Sequence, residues 1–241
     1  MIPSNERHIV LILASLAAIT PLAIDMYLPA LPRMAEQFST PISEVQFSLS
    51  LYFFGMALGQ LIGGPISDAY GRRPVISLGL TLFGLSSFAL VFTNTIELFW
   101  FFRTLQSLGG GFTTVNVSAT VRDHFSGKEG ARILSLIASV MLIAPLIAPM
   151  LGSFVLHVSI WESIFVFLCV YAFAALWMYR RAFQNVRTEK AKVTPFKNYL
   201  EVLSHPQAML FVVAMILCTS GMYTFITTSS FIYMEHFKTS P

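Results

Sequence analysis

Apolar residues fall along the chain in seven long runs, at about 9–31, 45–66, 75–93, 98–121, 133–156, 162–179 and 207–233. Charges enter these runs only at Asp25, at Arg103 and, on the outer edge of the sixth, at Glu162. Inside a wholly apolar run the period does not separate strand from helix, so length decides. Membrane strands need about 9–11 residues and alternate polar with apolar positions. These runs are twice as long and do not alternate. Each is predicted to be a helix that crosses a bilayer, and the predicted fold class is all-α transmembrane. The first run follows Arg7 and His8, as a secretory signal would. It continues past Asp25 into Met26, Tyr27 and Leu28 with no convincing small-residue cleavage site, so it is expected to be retained.

Composition narrows the function classes. Hydrophobic residues make up 55% of the 241, charged residues 11%, and the mean hydropathy is +0.70. A soluble domain carries about 25% charged residues. The chain lacks the polar groups needed to cover a soluble globule, which excludes a soluble enzyme, a nucleic-acid module and a disordered chain. Cys169 and Cys218 lie inside apolar runs and read as small core residues. No HExxH or CxxC spacing is present, so no metal or cofactor is expected.

Charge placement gives the orientation. With the N-terminus in the cytoplasm, twelve Lys and Arg residues lie in inner loops and only Arg33 and Lys238 in outer ones. Seven spans then put the C-terminus outside. The longest inner connection is basic and contains Pro195 and Pro206, so it reads as a linker. The predicted organisation is a six-helix bundle over 1–180, a cytoplasmic linker over 181–206, and a first helix of a second unit over 207–241.

Asp25 is the leading candidate for chemistry. A carboxylate within a span costs about 2.5–3.5 kcal/mol on insertion scales, so such residues face a cavity or a partner. Pro21 and Pro29 flank it, with Pro32 beyond, and each removes a helix hydrogen bond. Broken helices around polar groups are common at transporter sites. Arg103 is expected at a similar depth, about 8–9 Å in, and an ion pair with Asp25 would offset the burial of both. Desolvation and a nearby cation act on the acid in opposite directions, which leaves its proton affinity open. After Arg103, Gln106, Gly110, Thr113 and Thr114 form a small, polar stripe expected to line the interior. Tyr27 beside Asp25, and Tyr223 and Thr227 in the hydroxyl-rich seventh run, are assigned to the same substrate cavity. Gly55, Gly59 and Gly63 recur every four residues and read as a close-packing stripe. Pro145, Ala148, Pro149 and Gly152 form a similar small, kinked surface. Between the second and third runs, Gly64, Asp68, Gly71, Arg72, Arg73 and Pro74 read as a charged turn. Asp68 and Arg72 lie four apart and within pairing reach.

These residues resemble a known family. Gly64 to Arg73 is similar to the signature loop G-x-x-x-D-x-x-G-R-[RK] of the major facilitator superfamily. Arg103-Thr-Leu-Gln106, with Gly109 and Gly110, resembles its fourth-helix motif, and Ala148-Pro149-Met-Leu-Gly152 resembles the fifth-helix motif of drug–proton antiporters. Asp25-Met-Tyr-Leu-Pro-Ala-Leu-Pro32 is similar to the first helix of the Bcr/CflA drug exporters. Alanine at 148 and serine at 153 depart from the glycines of the fifth-helix motif, and Ser229-Ser230-Phe231 lacks the proline expected in the seventh helix.

The resemblance implies a bacterial inner-membrane exporter that exchanges protons for a small hydrophobic or amphipathic drug by alternating access. Asp25 would take the proton and Arg103 would respond to that state. Gly64, Asp68, Gly71, Arg72 and Arg73 would form the cytoplasmic gate, and Pro145, Pro149 and Gly152 the pliable fifth helix. The superfamily has two six-helix bundles, so this chain reads as the first bundle plus helix 7, lacking a C-terminal bundle as partner. A nutrient uptake carrier and an inactive fragment stay open as alternatives. A retinal protein does not fit, because 207–233 contains no lysine, and a receptor of the usual topology conflicts with the charge count.

Overall fold

The computed structural model describes residues 4–183 and 203–231. They belong to two compact units, 1–190 and 191–241. In the first, the helices are α1 (Ser4–Asp25), α2 (Leu31–Phe38), α3 (Ile42–Tyr70), α4 (Arg72–Leu90), α5 (Ile96–His124), α6 (Gly127–Val158) and α7 (Glu162–Ala182). A single 3-10 turn, Leu28–Ala30, joins α1 to α2. In the second unit, α8 spans Pro206–Phe231.

Each of the seven predicted runs is helical over most of its described residues, and two differences bear on the site. The first helical course does not stop near residue 31 but breaks after Asp25 and resumes to Phe38. Pro29 has no N–H to offer the Asp25 carbonyl, and its ring crowds that turn. The supposed loop at 64–74 is mostly helix: α3 runs through Pro65 to Tyr70, and Gly71 alone separates it from α4. Gly71 has φ +95°, a conformation that favours glycine.

Among the described residues, five helical segments are long and apolar enough to cross a membrane: His8–Phe38, Ile42–Tyr70, Arg72–Leu90, Gly127–Val158 and Glu162–Ala182. Helix α5 is as long as α3 but less apolar, because Arg103, Gln106 and its hydroxyls interrupt it. Arg103, Gln106, Ser107, Thr113 and Thr120 are buried, since α5 packs against α3 and α4 along most of its length and also touches α1. The first span is the most enclosed, with 78% of its apolar window buried, and α6 the least, with 22%. Helix α6 packs on α1, and α7 on α4 and α1.

Consecutive glycines explain how α5 sits among three helices. Successive residues on a helix turn by about 100°, so Gly109, Gly110 and Gly111 face different neighbours. A Cβ at Gly109 would lie 2.5 Å from the Gly79 carbonyl oxygen of α4. At Gly111 it would overlap the Met56 carbonyl of α3, and at Gly110 it would come 3.3 Å from Thr20 Oγ1 of α1. The stripe on α3 meets this surface: side chains at Gly55 and Gly59 would strike the Thr104 and Leu108 carbonyls. Gly59→Val is expected to cost about 1–3 kcal/mol by overpacking. The loss is measurable as a lower unfolding midpoint in detergent, and an unchanged midpoint would contradict the contact.

In α8, Thr224 Oγ1 donates to the Ser220 carbonyl at 2.7 Å, so this hydroxyl is bonded back to its own helix. The side chains of Tyr223 and Thr227 lie outside the described residues.

Candidate functional site at the break in the first span

The break leaves the last carbonyls of α1 without helix partners. Met26 N–H takes the Leu22 carbonyl at 3.1 Å. The Ala23 carbonyl takes Nη1 of Arg103, at 3.2 Å. Arg103 is fully buried, with Nη1 also donating to Gln106 Oε1 at 2.6 Å, and Gln106 Nε2 donates onward to Ser87 Oγ at 2.7 Å. Its guanidinium lies 4.3 Å from the ring centroid of Tyr27, 4.5 Å from Tyr52 and 5.7 Å from Phe165. A cation at a helix C-terminus inside an aromatic cage is stabilised by the helix dipole and the ring faces. Tyr27 is itself held by Ser48, oxygen to oxygen 3.0 Å.

Arg103 thus lies beside the stretch of chain that carries Asp25, since it touches Ala23 and Tyr27 on either side of the acid. The expected ion pair is not. Among the described residues Asp25 makes no salt bridge and no hydrogen bond, although it is only 5% exposed. Residues 23 and 25 lie about 200° apart around a helix, so the face that meets α5 is not the one carrying the carboxylate. Arg103→Ala would strip partners from the Ala23 carbonyl and Gln106 and open a cavity, for an expected loss of about 3 kcal/mol. Detergent unfolding measures this, and wild-type stability would show that the cap carries no weight.

Behind the break stands α6. Ala144, Ala148 and Gly152 are buried on it, one turn apart, and Pro145 and Pro149 are half-buried beside them. A Cβ at Gly152 would overlap the carbonyl oxygen of Met26, the residue after Asp25. The antiporter-like stripe is thus the surface that admits the bent backbone of the first span. At the end of the bundle that carries α2, Arg33 Nη1 donates to the Leu156 carbonyl at 3.0 Å, and Trp161 Nε1 to Gln37 Oε1 at 2.7 Å. Arg33 lies in α2 and caps the end of α6.

The polar stripe on α5 is closely packed over most of its length. Tyr27, Gln106 and Thr113 are fully buried, and Gly110 is closed off by Thr20 and Tyr52. Thr113 Oγ1 donates to the Gly109 carbonyl at 3.0 Å and abuts Gly79. These four pack between helices. Thr114 opens on a space of about 240 Å³ shared with Ala17 of α1, Ser118 of α5, and Leu134, Ile137 and Met141 of α6. Ser118 and the α6 wall escaped the sequence reading.

At the opposite end, Arg72 pairs with Asp68 as the four-residue spacing predicts. It also donates to Ser67 Oγ at 2.6 Å and, through Nε, to Asp123 Oδ2 at 3.0 Å. Arg72 so ties α3 to the end of α5. Gly64 takes part through its carbonyl, which accepts Ser67 Oγ at 2.7 Å. Ser67 and Asp123 were not anticipated; an acid between Arg122 and His124 in the last turn of α5 was the available signal. Arg73 points elsewhere, into a cleft between α4 and α7.

Comparison with known proteins agrees with this architecture. The chain is 27% identical over 231 residues to the bicyclomycin resistance protein homolog of Haemophilus influenzae, covering 93% of this chain and 58% of that one. It is 36% identical over 174 residues to a chloramphenicol resistance protein of Pseudomonas aeruginosa, covering 70% and 42% respectively. To the multidrug transporter MdfA of Yersinia pestis it is 32% identical over 188 residues, covering 76% and 46%. The chain spans about half the length of the curated relatives it matches. In fold it is similar to the proton:xylose symporter XylE, with a TM-score of 0.67 at 15% identity over 74% of this chain and 45% of that one. It is also similar to a peptide transporter, with a TM-score of 0.66 at 17% identity over 94% and 49%. The Major Facilitator Superfamily model matches residues 13–241, and the chain, a multi-pass membrane protein, belongs to that superfamily.

Proposed function

We propose that this chain supplies the N-terminal bundle of a proton-coupled drug exporter in a bacterial inner membrane, working by alternating access with its N-terminus in the cytoplasm. The observation that carries the reading is Asp25: a buried carboxyl, without an ion-pair or hydrogen-bond partner among the described residues, at a helix break backed by Gly152. Protonation removes a charge that the surroundings do not offset. Its loss and return is therefore a natural switch between two packings of the first span against α6. Arg103 acts on this switch by holding the end of α1, through Ala23, and not by pairing with the acid.

The substrate side is supported by the cavity at Thr114 and Ser118, whose other walls are apolar, and by relatives named for bicyclomycin and chloramphenicol resistance and for multidrug transport. A small hydrophobic or amphipathic drug with a few hydrogen-bonding groups fits such a wall. Asp68 and Arg72, held to Asp123, form the inner gate against a second six-helix bundle. The exposed apolar face of α6, with Leu142, Leu146 and Met150, is suited to that same partner.

Chloramphenicol is the first probe. The whole transporter, expressed in a hypersensitive strain, is expected to raise resistance and lower accumulation, and an uncoupler should abolish both effects. Resistance that persists with the uncoupler would contradict proton coupling, and faster accumulation would favour the uptake reading.

A further inference from the structure

Helices α5 and α6 both pack on α1 but meet each other sparingly. Small side chains at Ala17 of α1 and Ala138 of α6 keep the gap open as the cavity of about 240 Å³ that Thr114 and Ser118 also line. We propose that Ser118 sets the specificity of this cavity by donating a hydrogen bond to a carbonyl, amide or nitro oxygen of the drug. Thr114 accepts an N–H or O–H from the same molecule. The inference rests on the reading of this cavity as the drug site and adds to it the class of drug.

The two hydroxyls play opposite parts because their neighbours differ. Thr114 Oγ1 donates to the Gly110 carbonyl at 3.0 Å, so its proton is committed to its own helix and it presents lone pairs to the cavity. Ser118 is arranged the other way. Arg122, one turn on, donates through Nη2 to Ser118 Oγ at 3.4 Å and through Nε to the Ser118 carbonyl at 3.3 Å. A hydroxyl has one proton and two lone pairs. With the guanidinium on a lone pair, the proton is what Ser118 gives to a ligand, and donation into the oxygen strengthens it as a donor. Arg122 is thereby a positioning residue. Positions four apart on a helix set their Cβ atoms about 5–6 Å apart on one face. A matching ligand carries an acceptor and a donor at that separation on a compact apolar body. An acylated amino alcohol or a small amide meets this description, and an organic cation without hydrogen-bonding groups does not. Leu134, Ile137 and Met141 receive the apolar body, and Met141, unbranched and exposed, adjusts to its shape.

The test is equilibrium binding of radiolabelled chloramphenicol and tetraphenylphosphonium to the whole transporter in detergent. Chloramphenicol is a neutral acylated amino alcohol; tetraphenylphosphonium is an apolar cation with no hydrogen-bonding group. Ser118→Ala is expected to weaken chloramphenicol about fivefold, the effect of one hydrogen bond, and to affect tetraphenylphosphonium far less. Ser118→Thr keeps a hydroxyl and should bind chloramphenicol much as wild type does. Thr114→Val removes the acceptor at similar size and should also weaken chloramphenicol selectively. Arg122→Ala should weaken it about twofold, as loss of an exposed charged contact does. An unchanged unfolding midpoint shows that each variant is folded. Binding in detergent does not depend on proton coupling, so the result is separate from the uncoupler experiment. Absence of chloramphenicol binding to wild type would contradict the drug-site reading and the proposal with it. With wild-type binding intact, the proposal alone is overturned if Ser118→Ala keeps wild-type affinity, if both probes weaken equally, or if Ser118→Thr binds no better than Ser118→Ala. A wild-type ratio of the two affinities in Arg122→Ala would remove its positioning role.

Discussion

Asp25→Asn is expected to abolish proton-driven efflux in the whole transporter while leaving membrane insertion and yield intact. The substitution keeps the size of the side chain and removes its capacity to change charge. Asp25 makes no salt bridge or hydrogen bond among the described residues. The loss should therefore appear in transport and not in stability. A neutral amide is also less costly to bury than a carboxylate, so the variant should unfold at the same temperature as wild type or somewhat higher. Efflux driven by an imposed pH gradient, measured beside the unfolding midpoint, separates the two effects. Wild-type transport by the asparagine variant would remove Asp25 from the coupling step.

Gly152→Val is expected to disable the protein by a different route. Its Cβ would occupy the position of the Met26 carbonyl oxygen, and that oxygen belongs to backbone that cannot rotate away. Either α6 withdraws from α1 or the break in the first span is remodelled. Overpacking of this kind costs about 1–3 kcal/mol, and here the displaced atoms adjoin Asp25. Gly152→Ala should give a milder form of the same defect, with transport falling more steeply than stability. Transport assays and thermal unfolding of the graded pair check this. A valine variant that transports normally would show that the contact is not maintained in the working cycle.

Much of this arrangement was legible in the amino-acid sequence, for reasons that are local. Length and apolarity place a helix wherever a run of about 20 residues lacks charge, and the glycine stripe on α3 signals close approach from spacing alone. The Asp68–Arg72 pair followed from helical geometry, and the nearness of Arg103 to the chain around Asp25 from counting residues. What was not legible depends on direction and on distant partners. The Asp25–Arg103 pairing failed because proline breaks the helix at Asp25 and leaves the Ala23 carbonyl as the nearer claimant on the guanidinium. The burial of Gln106 and Thr113 between helices was not legible, because a small polar stripe serves equally well for joining helices and for lining a cavity. Asp123 is 51 residues from Arg72 in sequence, and no local pattern announces that contact.

The most direct test of proton-coupled export uses the whole transporter in proteoliposomes loaded with a pH-sensitive dye. Addition of the probe drug should produce proton movement opposite to drug movement, and Asp25→Asn should eliminate the signal while retaining drug binding. Drug transport of undiminished rate with no accompanying pH change, in wild type, would contradict the coupling assigned to Asp25.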